Sequence, residues 1–330
     1  MQSCHRKRKL RERSETGRWI PRPAQLEMVS LDQLAALDLQ LWLMGSKRAA
    51  RLEQSNQSTI VRRGQAVEAC FRVSIRRDPD GWRLSGDTRL LQMERLLHQR
   101  ARLLGHRPLR LHAPFWTLRG RLQRLPLGWC VNPATSLAVC ENPIELLRAR
   151  VIDAALLTPT QMPACSEGLV VHDLHRSRIE LTLFGRRQPP DPAPALPLLQ
   201  EREDLVLRQP SFLPLSCQRR CREWFAQLLP AAAAAAEAAA AGASEGSGDG
   251  TADLSVAFLT PEMQQVQGLP YGVACSAEAH PYVERLVLLP DLAEQRPLQV
   301  LLRHLTGIFT SRPASGPTAP ESPELLFRGV

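Results

Sequence analysis

Apolar positions recur at helical spacing early in the chain. Leu31, Leu34, Leu37, Leu41 and Met44 form one stripe that stops at Gly45, which predicts a first helix. Ser46 is placed to cap a short helix over Lys47–Gln54, whose inward side carries Ala49, Ala50 and Leu52. Ser55 then caps a third helix over Asn56–Ala69, in which Gly64 sits mid-helix at a cost of about 1 kcal/mol against alanine. The turn residues Asp78, Pro79, Asp80 and Gly81 separate two strand-like runs, Phe71–Ile75 and Trp82–Leu84, and predict a hairpin. A long helix follows over Asp87–Leu104. Its leucines and Met93 offer more apolar surface than a solvated connector carries, and a second copy of the chain would bury it.

Beyond residue 108 the pattern alternates. Strand-like runs at Leu109–Ala113, Ser136–Cys140, Ala154–Leu157 and Ile179–Phe184 are interleaved with helices over Leu118–Arg124 and Pro143–Arg150. Pro189–Pro197 reads as a stiff linker. A second block has strands at Leu205–Arg208, Ala257–Leu259, Gly272–Cys275 and Arg285–Leu289, and helices over Cys217–Leu229 and Leu298–Phe309. Alternation of this kind predicts α/β units around a mainly parallel sheet. The alanine-rich stretch running into Gly, Ser and Asp at 231–251 is a low-complexity insertion, and 1–27 and 311–330 read as a disordered basic arm and a disordered tail.

Composition narrows the function classes. At 44% hydrophobic and 23% charged residues over 330 positions, the chain is globular rather than disordered. No apolar run approaches the roughly 18–20 residues of a membrane helix, so no membrane partner is expected and the cytoplasm is the expected compartment. Eight cysteines without a CxxC pair read as reduced thiols. The charge is lopsided. Residues 1–107 hold 22 basic and 11 acidic side chains, against 20 and 22 in the remainder, so the whole net surplus lies in the first third. That third is the part expected to meet a polyanion.

Two short helices joined at Ser55 and followed by a basic hairpin have the plan of a winged helix-turn-helix. The polar start of the third helix (Asn56, Gln57, Ser58, Thr59) suits base edges, and Arg62 and Arg63 suit phosphates. Ser46, Lys47 and Arg48 at the second helix and Arg76, Arg77 and Arg83 in the wing complete the candidate contacts with double-stranded DNA. The order Gly45-Ser46, Ala49-Ala50, Asn56-Gln57 to Arg62, Glu68, Phe71 and Leu84-Ser85-Gly86 resembles the N-terminal domain of the LysR-type transcriptional regulators. Leu109–Ala113, the helix Pro143–Leu157 and Gly168–Phe184 resemble their effector domain. Val61 stands where that family has serine.

The resemblance implies a winged helix-turn-helix head (28–86), a linker helix for dimers or tetramers (87–107) and a two-lobed α/β effector module (108–310) like a type 2 periplasmic binding protein. It implies a small anionic effector between the lobes. Ligands of such sheets lie beyond the strand ends, near helix N-termini. That nominates Pro114, Phe115, Trp116, Thr117, Asn142 and Thr158 from the first lobe, with Ser211 and Thr260 from the second. No cofactor motif, Walker loop or nucleophile signature is present, so catalysis and cofactors are not expected. His172 and His175 on one strand point to opposite faces and Cys217 and Cys221 pack inward, so no metal site is expected. The alternative reading keeps the architecture as a ligand-binding or interaction module that no longer reads DNA.

Overall fold

A computed structural model describes residues 29–78, 81–120, 122, 124–132, 142–185, 196–203, 205–207, 215–242, 254–260, 263 and 273–310. Of the segments read from the sequence, the arm 1–27, the strand 136–140, most of the Pro189–Pro197 linker, residues 243–251 and the tail 311–330 lie outside these.

The head is built from α1 (Leu31–Trp42), α2 (Ser46–Leu52), α3 (Gln57–Phe71) and the hairpin β1 (Ser74–Asp78) and β2 (Gly81–Ser85). Ser30 and Gln33 cap α1 reciprocally: the Gln33 amide nitrogen donates to the Ser30 hydroxyl, and the Ser30 amide donates to the Gln33 side chain. Helix α3 runs unbroken through Gly64, and the structure supplies the reason for that glycine. A methyl group there would lie 2.4 Å from the Gln40 side-chain nitrogen of α1, which donates to the carbonyls of Ala36 and Ile60. The helix-propensity cost is offset by close approach of α1 and α3. Gly86 ends the wing at φ +118°, with the Arg72 carbonyl 2.8 Å from where a Cβ would sit, so a side chain is barred twice over.

Helix α4 (Arg89–Leu103) leads to β3 (Leu109–His112), α5 (Phe115–Gly120), β4 (Trp129–Val131), α6 (Pro143–Arg148) and β5 (Ala154–Leu157). A 3-10 turn at Pro159–Gln161 precedes the long strand β6 (Val170–Gly185). The second lobe comprises α7 (Leu196–Gln200), β7 (Val206–Leu207), α8 (Leu215–Leu228), α9 (Pro230–Gly242) and β8 (Leu254–Leu259). The equally long β9 (Val273–Leu288) then returns to the first lobe, which α10 (Pro290–Ala293) and α11 (Arg296–Thr310) complete.

One sheet in the order β4-β3-β5-β9-β6-β8-β7 spans both lobes. The expectation of a mainly parallel sheet is corrected. β3 pairs in parallel with β4 and β5, and β7 with β8, but the centre (β5·β9, β6·β9, β6·β8) is antiparallel. The cause is that β6 and β9 are crossover strands shared by both lobes. Each carries one ladder per lobe, and their pairing jumps from Ile179↔His280 to Leu181↔Cys275 where they cross. Two apolar cores flank this point. One holds Leu111, Ile152, Leu156 and Leu286, and the other holds Leu183, Phe225, Val256 and Phe258.

The first core does not stop at lobe I. Ala36, Leu39, Trp42, Leu43, Ala49, Ala50 and Ile60 of the head belong to it, while Leu34, Leu37, Leu41 and Val67 form the head's own interior. Helix α1 therefore has two buried sides, and every residue from Leu34 to Leu43 is buried. Polar pairs finish the junction. The Trp42 indole N–H donates to His112 Nδ1 at 3.3 Å, and Asp38 of α1 meets Arg95 of α4 at 2.7 Å and Arg110 of β3 at 3.5 Å. Asp153 accepts from both Arg102 nitrogens (2.8 and 2.9 Å), from Gln99 (3.0 Å) and from the Arg110 backbone (2.9 Å). Arg107 ties Asp32 to Glu53.

This network lets polar residues of α4 pack inward beside the buried Leu91. Arg95, His98, Gln99 and Arg102 face inward, while Leu90, Met93, Leu97 and Leu104 are 62–77% exposed.

Candidate functional site

Two surfaces collect the residues nominated from the sequence. On the head, Asn56, Gln57, Ser58 and Arg62 are exposed at the start of α3, and Lys47 is exposed on the first turn of α2. The Gln57 side chain donates to the Ser46 hydroxyl at 2.9 Å, which joins the two helix starts into one polar platform. Helix N-termini present backbone N–H groups and a positive dipole end, both suited to a phosphate. Arg48 instead reaches back to the carbonyls of Leu43 and Met44, holding the end of α1. Arg63 forms an ion pair with Asp32 at 3.3 Å. In the wing, Arg76 and Arg83 are both exposed and directly opposed across the hairpin. The side chain of Arg77 lies outside the described residues.

The second surface is a cavity of about 530 Å³ at the crossing of β6 and β9. Trp116 from the start of α5, Thr158 and Pro159 after β5, and Ile179, Pro281 and Tyr282 of the crossover strands line one side. Cys217, Arg219, Arg220, Cys221, Glu223 and Trp224 of α8, with Phe258 and Met263, line the other. Of the residues nominated for an effector, Trp116 and Thr158 line this cavity. Pro114, Phe115 and Thr117 are buried beside it, Thr260 is fully buried with its hydroxyl accepting from the Met263 amide, and Asn142 precedes α6. Ser211 lies outside the described residues. Helix α8 is the contribution that sequence reasoning missed, because Cys217 and Cys221 read as ordinary packing. Their i, i+4 spacing beside Trp224 was the available signal.

Behind the cavity wall the polar groups are joined by hydrogen bonds. The Trp116 indole N–H lies 3.0 Å from both the Tyr282 hydroxyl and Glu284 Oε1, and the Thr117 hydroxyl donates to the same carboxylate oxygen at 2.6 Å. Burial, then the Glu284 charge, hold the Tyr282 phenol well above its ordinary range. Burial pushes the Cys221 thiol up to about 12. Arg220 pairs with Glu223 at 2.8 Å and lies over the Trp224 ring.

His172 and His175 are separated by a bulge at Leu174, so the strict alternation that was to set them on opposite faces does not hold. His175 stacks on Phe309 of α11. Among the described residues no three His, Cys, Asp or Glu side chains are grouped to hold a metal ion, and no helix is long and apolar enough to cross a membrane.

No protein-family model matches the chain, and no curated protein sequence matches it. Among solved structures it is similar to full-length OxyR from Pseudomonas aeruginosa, at 16% identity over 84% of this chain and 98% of that one, with a TM-score of 0.40. A probable transcriptional regulator from Pseudomonas aeruginosa matches at 16% identity over 85% and 97%, with a TM-score of 0.45. CbnR, a LysR family transcriptional regulator, matches at 14% identity over 86% and 100%, with a TM-score of 0.43.

Proposed function

We propose that this chain is a DNA-binding transcription regulator of the LysR type, working as a dimer or higher oligomer and gated by a small molecule held between its lobes. The observation that carries the reading is the head. Its α1–α2–α3–β1–β2 order leaves one exposed polar helix start, Asn56 to Arg62, beside a wing with two opposed arginines. A helix so presented fits the major groove, with Gln57 reading base edges and Arg62, Arg76 and Arg83 positioned for phosphates.

The outer face of α4 supports self-association. Leu90, Met93, Leu97 and Leu104 repeat at spacings of three, four and seven along one exposed stripe, which is the pattern of a coiled-coil seam. A second copy laid along α4 covers it, and sets the distance between two reading heads. A ligand that closes lobe II on lobe I alters that assembly, because lobe I and the head share a core.

The test is binding of the full chain to a duplex of its own upstream intergenic DNA and to a scrambled duplex, titrated across salt. Gln57→Ala is expected to remove the preference for the specific duplex, at about 1–3 kcal/mol. Arg76→Ala is expected to weaken both duplexes alike and lower the salt slope by about one. Weak binding to any duplex that ignores Gln57 would overturn the DNA reading and leave a ligand-binding or interaction module.

A further inference from the structure

The walls of the inter-lobe cavity carry information about its occupant. Its interior is made by the rings of Trp116, Trp224, Phe258 and Tyr282, with Ile179 and Met263 beside them. A volume of about 530 Å³ suits a drug-sized molecule. Among the described residues, the donors on the Trp116 side of the cavity are engaged with one another. The Trp116 indole points to Tyr282 and Glu284, Tyr282 lies 3.4 Å from the same carboxylate oxygen, and the Thr158 hydroxyl engages Gln161 at 3.2 Å and Cys217 at 3.7 Å. A carboxylate or phosphate seated here would have to take donors away from Glu284.

We propose that this cavity binds an uncharged, flat, largely apolar molecule, and that it rejects anions of the same shape. The inference rests on reading the cavity as the effector site, and it departs from the anionic effector that the family resemblance implies.

The cavity's own acids report the same preference. Tyr282 and Cys221 line it, and burial is the first cause that makes both harder to ionise than they are in water. An anionic ligand meets the same loss of hydration and the same Glu284 field. The cations do not reverse this. Arg219 and Arg220 are exposed on α8, and Arg220 is occupied by Glu223 while its guanidinium covers the Trp224 face, 5.6 Å from the ring centre. A flat neutral body, by contrast, gains ring-on-ring contact with two tryptophans and displaces water from an apolar surface without desolvating a charge.

The experiment is calorimetric titration of the full chain at pH 7 with 2-naphthol and 2-naphthoate, which share a ring system and differ in charge. Ile179→Trp, which fills the cavity, and Trp224→Ala, which removes part of its wall, are titrated alongside, with circular dichroism confirming that each is folded. The expected result is 2-naphthol binding at least tenfold tighter than 2-naphthoate, weakened tenfold or more in whichever variants fold. Equal or tighter binding of 2-naphthoate overturns the inference, assigns an acid group to Arg219 and Arg220, and leaves the ligand-gated reading standing. Failure of both probes to bind, or binding indifferent to both variants, overturns the inference together with the assignment of this cavity as the effector site. The DNA titration remains an independent test of the head.

Discussion

Replacing Asp153 with asparagine is the sharpest perturbation of the junction between α4, the head and lobe I. The carboxylate is fully buried and accepts four hydrogen bonds, two on each oxygen. Asparagine keeps the shape and gives up one acceptor. In one orientation its NH2 group opposes Arg102 Nη2 and Gln99 Nε2. In the other it opposes Arg102 Nε and the Arg110 amide, so either orientation sets donors against donors. The substitution also strips the counter-charge from a buried guanidinium. Burial lowers the pKa of Arg102, and the surrounding negative groups, Asp153 first, more than offset this; the guanidinium stays charged in any case, so the variant leaves it buried without its main counter-charge. Removing one partner of such a pair costs about 3–5 kcal/mol, or roughly 6–20 °C in the midpoint of a domain of this size. The assay is thermal unfolding followed by tryptophan fluorescence and circular dichroism, with Asp173→Asn as the control. Asp173 makes comparable contacts to Arg176 and Arg285 at 2.8 and 2.9 Å, but in solvent, where an ion pair contributes about 0–1 kcal/mol. If Asp153→Asn lowers the midpoint no more than Asp173→Asn, the buried network does not hold the junction and the argument fails.

Two further outcomes follow from the same region. Burial pushes the His112 ring down to about 4, against an unfolded value near 6.5, so the unfolded chain binds the extra proton in that window. The stability this neutral ring provides is complete above about pH 6.5 and is lost as pH falls toward 4, by about 3 kcal/mol. His112→Asn retains an acceptor for the Trp42 N–H, and its urea midpoint should fall less than that of wild type between pH 7 and 4.5. Gly64→Ala gains about 1 kcal/mol of helix propensity but displaces the buried Gln40 amide from two carbonyls, for about 1–3 kcal/mol. Net destabilisation that disappears in a Gln40→Ala background, read by urea denaturation, is the expected result.

The head was legible because its information is local. Periodicity gave α1, α3 and α4 to within a few residues, and turn chemistry gave the wing. What α4 packs against was not legible. Its leucines and Met93 read as a face for a second copy of the chain, and Leu90, Met93 and Leu97 are indeed exposed, but nothing in the pattern showed that Arg95, His98, Gln99 and Arg102 would be buried beside Leu91 on the other side. The partners that make this tolerable, Asp38 and Asp153, lie more than fifty residues away from them along the chain. A clue was present in Asp38 itself, an acid inside an otherwise apolar helix that needs a cation to be buried. The antiparallel centre of the sheet escaped for a similar reason. β6 and β9 each looked like short strands, since only their apolar portions carry a pattern. At the cavity, the places of Trp116 and Thr158 follow from where strands end, while α8 comes from the opposite lobe, and the spacing of Cys217 and Cys221 beside Trp224 marks a face without saying what it faces.

The shared core around α1 has a consequence for how this protein can be taken apart. A helix with solvent on one side can be transplanted with its domain, but Trp42, Leu39 and Ala36 complete lobe I while Leu34, Leu37 and Leu41 complete the head. Cutting between head and effector lobe would bare an apolar surface on both pieces. The head is therefore not an exchangeable cassette, and a hybrid that joins it to a foreign sensor would have to bring lobe I along.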